Sequence, residues 1–325
     1  MTPLKLTVTH IHAETPLIRS LILVCANGQP LPSYTAGSHL KVSIPGQAEP
    51  RCYSLVCLAP DNSSFDAPQT YHLGVRLEDP STGGSRYMHD LAVGDTLDVL
   101  GPKNDFALHP PAADEATSIL VAGGIGITPI AAMASTLQQA QRPYQLHYYG
   151  RSTDQMAFLD ALRCQHGSAL HIHADDEPAT HCPLSQLLDG LGNHQHLYVC
   201  GPKGLIDTVV AESHGRHWPH SHVHFELFTT AAPQQGDRGF EIELRQSGLT
   251  LQVPPDKTIL EVLEEAGCDP MYDCKRGECG VCQVDVLEGI PDHRDYYLSD
   301  DERASGKTIQ VCISRSHSDR LVLDL

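Results

Sequence analysis

Four cysteines near the carboxyl end of the chain have the residue type and spacing of metal ligands. Cys274, Cys279 and Cys282 form the pattern C-x4-C-x2-C, and Cys312 follows after 29 further residues. This is the plant-type ligand pattern of a 2Fe-2S cluster, in which four thiolates hold two irons. A structural zinc site is the alternative, but zinc favours two C-x2-C pairs and the pattern offers one. The spacing therefore predicts an iron–sulfur cluster that carries one electron at a time.

The cysteine loop must turn back on itself, because three ligands lie within nine residues. Gly277 and Gly280 lie inside it, and glycine adopts positive φ values at little cost. The preceding residues predict a hairpin, with strands at 240–245 and 249–253, followed by a helix capped by Thr258. Hairpin, helix and cysteine loop together predict a β-grasp domain.

The cluster needs an electron source, and the first third of the chain predicts a binding site for one. Residues 1–108 alternate polar and apolar residues in short segments separated by turn dipeptides, which predicts a small antiparallel barrel or sandwich. One strand reads Arg51-Cys52-Tyr53-Ser54. Arginine can fork onto a phosphate, tyrosine can lie against a flat ring, and a hydroxyl can bond a ring nitrogen. An ordinary half-buried strand is the alternative.

A second stretch of this part also has residues suited to an anionic ligand. The strand at 71–77 places Gly74 and Arg76 on the face opposite Tyr71, and we include Gly74-Val75-Arg76 among the candidate binding residues. Gly83-Gly84-Ser85 then opens a short helix, whose free N–H groups favour a phosphate. A simple turn with a serine cap is the alternative.

The middle of the chain has the pattern of a parallel sheet that binds a dinucleotide. A buried strand at 117–122 runs into Gly123-Gly124-Ile125-Gly126-Ile127-Thr128-Pro129, where we expect Thr128 to cap a helix and Pro129 to open it. Strands at 145–149, 169–173 and 196–200 alternate with helical patterns, which predicts βαβ units. The generic G-x-G-x-x-G fingerprint is not matched.

Polar or reactive residues follow two of these strands at the edge where such sheets bind ligands. Arg151-Ser152 ends one strand, where the ribose of a dinucleotide would lie, and Cys200-Gly201-Pro202 ends another. A buried thiol at the end of a strand is the alternative for Cys200. The polar, aromatic-free run that follows this region predicts an interdomain linker. We predict domains at 1–108, 109–228 and 239–325, joined by a linker at 229–238.

The composition restricts the partners of the protein. The formal net charge is −18, from 40 acidic against 22 basic residues. This balance argues against nucleic acid and anionic membranes, which bind basic surfaces. No apolar run approaches the roughly 20 residues of a membrane span. Of the 11 cysteines, the seven outside the spacing pattern are odd in number and scattered, which favours a reducing cytoplasm, and we expect most of the 20 histidines to be surface residues.

Taken together, these motifs resemble the phthalate dioxygenase reductase family over essentially the whole chain and in the family's domain order. Arg51-x-Tyr53-Ser54 is similar to its flavin strand, and Gly83-Gly84-Ser85 to its FMN phosphate loop. The segments 123–129 and 200–202 are similar to its nicotinamide-nucleotide elements, and Phe225 lies in a segment similar to the one that brings an aromatic ring against the flavin. Ser81-Thr82 departs from the pattern, since relatives often carry arginine nearby.

The resemblance implies a flavoprotein that passes electrons from NADH through FMN to the 2Fe-2S cluster. It implies that Ser54 bonds the flavin ring, that Thr128 and Cys200 help to place the nicotinamide, and that Arg51 and Ser85 hold the phosphate. It further implies transient delivery from a monomer to a separate Rieske-type oxygenase, which holds the organic substrate. A reductase for a non-oxygenase acceptor is one alternative. A redox sensor is another, although no basic segment suited to DNA appears.

Overall fold

The computed structural model describes residues 3–58, 65–109, 117–189, 191–192, 195–228 and 233–325. The chain divides into two units, Met1–Glu226 and Leu227–Leu325. Residues 229–232 of the predicted linker lie outside the described residues, and the predicted boundary at 108 remains a prediction. Among the described residues, no helix has both the length and the apolar character needed to cross a bilayer.

Alternating apolar residues build the first sheet of the first unit. Its elements are β1 (Pro3–Thr15), β2 (Ile18–Cys25), β3 (Ser38–Val42), β4 (Arg51–Ser54), β5 (Tyr71–Arg76), helix α1 (Gly84–Asp90) and β6 (Thr96–Asn104). The order is β4-β3-β6-β1-β2-β5, and all neighbours are antiparallel. A bridge between Leu55 and Leu73 brings the two edges of the sheet together. The predicted antiparallel barrel is confirmed.

The second sheet of this unit is parallel. Its elements are β7 (Ser118–Gly123), α2 (Ile127–Gln139), β8 (Tyr144–Gly150), α3 (Leu159–His166), β9 (Leu170–Ala174), α4 (Leu184–Asp189), β10 (Leu197–Cys200), α5 (Lys203–Gly215) and β11 (Val223–Glu226). The order is β11-β10-β7-β8-β9, with every pairing parallel. The chain therefore reverses its direction of progress beside β7, which is where such sheets bind ligands.

The start of helix α2 differs from the prediction. A 3₁₀ turn at Gly124–Gly126 runs directly into the helix, so that Gly126 occupies the N-cap position. Thr128 lies inside the first turn, and its hydroxyl donates to the carbonyl oxygen of Ile125 at 3.0 Å. The predictions that Thr128 caps the helix and that Pro129 opens it were wrong, because the 3₁₀ turn starts the helical backbone earlier.

The second unit has the expected β-grasp elements. They are β12 (Phe240–Leu244), β13 (Leu249–Val253), α6 (Ile259–Glu265), β14 (Gln283–Glu288), β15 (Pro291–Asp292), α7 (Asp300–Ser305), β16 (Thr308–Gln310), β17 (Arg315–Ser316) and β18 (Arg320–Leu323). The main sheet has the order β13-β12-β18-β14-β16. Thr258 caps α6 in a capping box with Glu261, as predicted. Apolar residues of α6, among them Ile259 and Leu263, are fully buried in the core of this unit.

Two pairs of histidines, on neighbouring strands of the parallel sheet or directly before one, share hydrogen bonds between nearly parallel rings. Nδ1 of His147 lies 3.0 Å from Nε2 of His173, and the rings are 5° from parallel. Nδ1 of His173 donates to the carbonyl oxygen of Thr180 at 2.7 Å, so Nε2 of His173 accepts a hydrogen bond from Nδ1 of His147. His196 and His224 form a similar pair at 2.9 Å. The expectation of surface positions fails for His147 and His173, which are 5% and 6% exposed.

The buried histidines predict that acid destabilises the first unit. Burial lowers the pKa of His147 to about 3, while a histidine in an unfolded chain has a pKa of about 6.5. The unfolded state therefore binds protons that the folded state does not as the pH falls below about 6.5. We expect the free energy of unfolding to fall by up to about 1.4 kcal/mol per pH unit for such a histidine.

Urea unfolding between pH 7.5 and about 5 measures this effect. Fluorescence of Trp218, the single tryptophan, reports on the first unit because its side chain is buried there. His147→Gln should show a shallower pH dependence than the natural chain, whereas the exposed control His12→Gln should not. Identical slopes for the natural chain and His147→Gln would contradict the assignment.

Candidate cofactor sites

The four cysteines of the spacing pattern converge at one end of the second unit. Cys274, Cys279 and Cys282 lie on the loop between α6 and β14, and Cys312 follows β16. Hydrogen bonds join the thiol of Cys274 to those of Cys279 and Cys312, and the thiol of Cys282 to that of Cys312. Cys282 and Cys312 are each 3% exposed, while Cys274 and Cys279 are half-buried. The structure therefore brings together residues that lie up to 38 positions apart in the sequence.

The surroundings of Cys274 favour a thiolate, the form that binds iron. Hydrogen bonds from the Cys279 and Cys312 thiols and from the backbone N–H groups of Arg276 and Glu278 hold the pKa of Cys274 far below its ordinary value. The N–H of Arg276 lies 3.3 Å from the sulfur of Cys274. The same hydrogen bonds, together with burial, raise the pKa of Cys279 and Cys312, so those two thiols keep their protons while Cys274 loses its own.

The four thiols form one connected group, since Cys274 is hydrogen-bonded to Cys279 and Cys312, and Cys282 is hydrogen-bonded to Cys312. A 2Fe-2S cluster needs four thiolates, two on each iron, so this donor set suits it.

Two glycines permit the path of the loop, as predicted. Gly277 and Gly280 both have φ of 75°, in the left-handed region. A Cβ atom at Gly280 would lie 2.3 Å from the ring of Tyr297, and one at Gly277 would lie 2.7 Å from Cγ2 of Ile313. Both positions therefore need glycine for backbone conformation and for space.

An ion pair links the residues between the first two cysteines. Nε of Arg276 lies 3.0 Å from Oε2 of Glu278, and both side chains are about nine-tenths buried, with 11% and 12% exposed. The other carboxylate oxygen of Glu278 accepts from the backbone N–H of Leu227. The charges in the interior of the loop are thus paired with each other rather than with solvent.

In the barrel, the two predicted flavin stretches lie against each other. A Cβ atom at Gly84 would lie 2.7 Å from Cγ of Arg51 and 3.4 Å from the hydroxyl of Tyr53, so only glycine allows this approach. Gly83 has φ of 103° and precedes α1. The hydroxyl of Ser85 accepts from the N–H of Glu78 at 3.1 Å. The start of α1 and the strand β4 therefore form one surface.

The remaining barrel candidates lie on β4 and β5. Ser54 is 4% exposed, whereas Cys52 is exposed. Val75 is buried in the barrel core, and Arg76 forms an ion pair with Glu78 at 3.1 Å. Gly74 faces helix α2, because a Cβ atom at Gly74 would lie 2.8 Å from Cγ2 of Thr128. The latter contact links the barrel to helix α2.

The two predicted glycine turns of the parallel sheet are in backbone contact where β7 and β10 end. A Cβ atom at Gly126 would lie 2.1 Å from the carbonyl oxygen of Cys200, and one at Gly201 would lie 3.0 Å from Cα of Gly123. Gly124 has φ of 53° and has open space around the Cβ position. The turns thus meet at the reversal point of the sheet.

The side chains predicted to position the nicotinamide are mostly buried. Thr128 is 1% exposed, Pro129 is buried in α2, and the thiol-bearing Cys200 is fully buried in the apolar core. Pro202 lies against Gly123, since a Cβ atom at Gly123 would lie 2.7 Å from the ring of Pro202. Phe225 is half-buried on β11 and pairs with β10.

The loops after β8 and β9 hold acidic residues that the sequence reasoning missed. The N–H of Asp175 donates to the carbonyl oxygen of Gly150, and that of Asp176 to the carbonyl oxygen of Arg151, at 3.0 and 3.1 Å. The hydroxyl of Ser152 donates to the carboxylate of Asp154. The parallel pairing of β8 with β9 is the signal that could have revealed these acids, because it places the carboxyl ends of the two strands side by side.

The glycine geometry of the cysteine loop yields a direct prediction. Gly280→Ala should lower the iron and acid-labile sulfide content per chain, because the added methyl group collides with Tyr297 and disfavours positive φ. Metal and sulfide analysis after anaerobic reconstitution measures the result. Gly248→Ala is the matched control, since Gly248 has φ of 71° but open space at the Cβ position. Equal cluster content in both variants, or zinc without iron in the natural chain, would contradict the assignment.

Comparison with known proteins matches the whole chain. Residues 242–317 match the family model described as a 2Fe-2S iron-sulfur cluster binding domain. The chain is 36% identical over 317 residues to a vanillate O-demethylase oxidoreductase of Acinetobacter baylyi, covering 97% of this chain and 96% of the relative. It is 38% identical to a tetrachlorobenzoquinone reductase of Sphingobium chlorophenolicum, covering 99% and 98% of the two chains.

The fold also matches solved structures. Phthalate dioxygenase reductase, described as a modular structure for electron transfer from pyridine nucleotides to a 2Fe-2S centre, aligns with a TM-score of 0.69 and 35% identity. The alignment covers 99% of this chain and 98% of that one. The chain also matches two longer solved structures, of which it spans 42% and 41%.

Proposed function

Since this chain belongs to the phthalate dioxygenase reductase family, we propose that it is the reductase component of a Rieske-type aromatic-ring or demethylating oxygenase system. It is an iron–sulfur flavoprotein oxidoreductase that takes electrons from NADH and delivers them through its cluster. The observation that carries the proposal is the convergence of Cys274, Cys279, Cys282 and Cys312 in the same chain as a dinucleotide-type sheet.

The residues of the three sites have complementary tasks. When bound, FMN supplies the exchange between the two-electron chemistry of NADH and the one-electron chemistry of the cluster. The glycine turns at 123–126 and 200–202 present backbone to the nucleotide, and β4 with the start of α1 holds the flavin. The four cysteines hold the cluster. Because one NADH yields two electrons and a cluster passes one at a time, the chain must transfer an electron to an acceptor twice for each NADH oxidised.

We propose FMN as the flavin because the phosphate-binding residues cluster at one point. Arg51 packs against Gly84, and the hydroxyl of Ser85 lies at the same helix start. A single terminal phosphate fits a cationic fork beside free N–H groups. Chromatography of the flavin released by heat identifies it, and FAD alone would refute the proposal.

Arg51→Ala should weaken FMN binding by about 1.5–3 kcal/mol, the range for a charged hydrogen bond. Fluorescence titration of FMN into the flavin-free chain measures the change. Arg163→Ala is the control, because Arg163 lies on α3 with a side chain that is 52% exposed. Unchanged affinity in Arg51→Ala would remove that residue from the site.

We propose that NADH is preferred over NADPH. Arg151 is the cation expected beside the ribose of the nucleotide. The loop that holds Arg151 is hydrogen-bonded through its backbone to the loop that holds Asp175 and Asp176. These carboxylates disfavour a 2′-phosphate by charge repulsion. Asp175→Ser with Asp176→Ser should raise kcat/KM for NADPH about tenfold or more while changing that for NADH less. Comparable kcat/KM for the two cofactors in the natural chain would refute the preference.

The order of electron flow can be tested by separating the two units. A chain ending at Glu226 should still oxidise NADH with ferricyanide, because it retains the barrel and the parallel sheet. It should no longer reduce cytochrome c efficiently or support a partner oxygenase. In the full chain, Cys279→Ser should likewise keep the oxidation of NADH by ferricyanide and lose the reduction of cytochrome c. The substitution removes one cluster ligand and leaves the flavin site unchanged.

Delivery of electrons directly from the flavin would give a different result. If the truncated chain or Cys279→Ser drove an oxygenase at the full rate, electrons would leave from the flavin and the cluster would have no role in delivery. Cys164→Ser serves as the control, because Cys164 is an exposed cysteine on α3.

A reductase for a non-oxygenase acceptor is the second candidate, favoured by the 38% identity to a tetrachlorobenzoquinone reductase. A quinone can take electrons directly from a flavin, so Cys279→Ser should retain quinone reduction if that is the function. Monomeric state, transient contact with the oxygenase and a cytoplasmic location remain predictions from the sequence.

A further inference from the structure

A fully buried glutamine lies beside one of the four cysteines. Gln310 is the last residue of β16, and Cys282 directly precedes β14; both side chains are buried. The sulfur of Cys282 lies 3.2 Å from Oε1 of Gln310. Cys282 belongs to the apolar core of the second unit, together with Val284 and Ile309. A polar group in such surroundings acts strongly on its neighbour, because little water screens it.

The sheet holds the glutamine next to the cysteine. β14 pairs with β16 in an antiparallel register that places Gln283 opposite Gln310. The backbone N–H of Val311 also donates to the carbonyl oxygen of Cys282 at 3.3 Å. Because backbone hydrogen bonds fix both sides of the contact, the amide of Gln310 stays within reach of the sulfur.

The direction of the hydrogen bond depends on the proton of the cysteine. In the structure the thiol of Cys282 donates to Oε1 of Gln310, and Nε2 of Gln310 donates to Oε1 of Gln283 at 3.2 Å. A cysteine that binds iron is a thiolate and has no proton to donate. The thiolate and Oε1 would then be two acceptors facing each other in a buried place, which is unfavourable.

Reversal of the amide removes this conflict. The oxygen and the nitrogen of a glutamine amide are nearly equal in size, so a half-turn exchanges them without a change in packing. After the half-turn, Nε2 of Gln310 donates to the sulfur and Oε1 faces Gln283. The side chain of Gln283 is exposed and can turn its own amide to donate to that oxygen.

We propose that Gln310 donates a hydrogen bond to the sulfur of Cys282 when the cluster is bound, and that this bond raises the reduction potential of the cluster. The inference rests on the proposed function, in which the flavin loses one electron at a time and the cluster gains it. The electron adds negative charge to the irons and their sulfur ligands, while no covalent bond at the cluster forms or breaks. A donor aimed at a sulfur ligand stabilises this reduced form more than the oxidised form. Gln310 thus acts through Cys282 as a positioning residue.

Substitution of the glutamine provides the first test. Gln310→Met keeps the length of the side chain without an amide, so the ratio of reduced to oxidised cluster at a fixed potential should fall about tenfold. For a one-electron couple this equals about 59 mV, toward lower potential. An anaerobic redox titration followed by electron paramagnetic resonance measures the change. Gln283→Met is the matched control, because it removes the neighbouring amide and leaves Gln310 in place; its potential should stay close to that of the natural chain.

A second test detects the nitrogen itself in the natural chain and needs no variant to succeed. The side-chain amides of glutamine are labelled with the heavy stable isotope of nitrogen, and pulsed electron paramagnetic resonance of the reduced cluster detects nitrogens coupled to its unpaired electron. We expect a coupling from the label in the natural chain and in Gln283→Met, and its loss in Gln310→Met. A purely structural role of Gln310, with its oxygen toward the sulfur, would not produce this coupling.

Two results would overturn the proposal. Equal potentials in Gln310→Met and in the natural chain, both with full iron and sulfide content, would show that the amide does not influence the cluster. The absence of a coupling in the labelled natural chain would show that no amide nitrogen faces the sulfur, even if Gln310→Met failed to bind a cluster. Failure of the proposed function looks different, since the natural chain would then hold no cluster that NADH reduces.

Discussion

The gathering of four sulfur ligands into a small, half-buried volume constrains the rest of the second unit. Negative sulfur atoms repel each other, so nearby donors must stabilise them before a metal can bind. The N–H groups of Arg276 and Glu278 do this for Cys274, and the positive φ of Gly277 and Gly280 lets the loop bend around the site. The packing of Ile313 and Tyr297 against these glycines then holds that conformation. The sheet and α6 provide the rigid support on which this loop depends.

Close approach at glycines plays the same part in the first unit. A Cβ atom at Gly126 would collide with the carbonyl oxygen of Cys200, and one at Gly84 would collide with the side chain of Arg51. These contacts bring segments that are far apart in the sequence to one edge of the parallel sheet and to one surface of the barrel. A ligand with a flat ring and a phosphate can then be held by backbone groups with few side chains, which suits redox cofactors bound in a defined orientation.

Periodicity and spacing predicted the elements well, but they did not predict how neighbouring segments meet. The alternation at the start of the chain, the capping box at Thr258 and the cysteine spacing are local signals, and the structure has the expected elements. The helix start at Thr128 was wrong because the 3₁₀ turn before it leaves no local signature. The acids Asp175 and Asp176 were missed because their proximity to Arg151 depends on the pairing of β8 with β9. The buried pair His147 and His173 depends on the same pairing.

Electron transfer from NADH to the acceptor requires that one chain carry both a flavin and a 2Fe-2S cluster that NADH can reduce. An anaerobic reductive titration followed by visible absorption and electron paramagnetic resonance measures this requirement. We expect uptake of three electrons per chain, two by the flavin and one by the cluster, with a paramagnetic signal from the reduced cluster that NADH alone can produce. Uptake of only two electrons, with no paramagnetic iron signal, would contradict it.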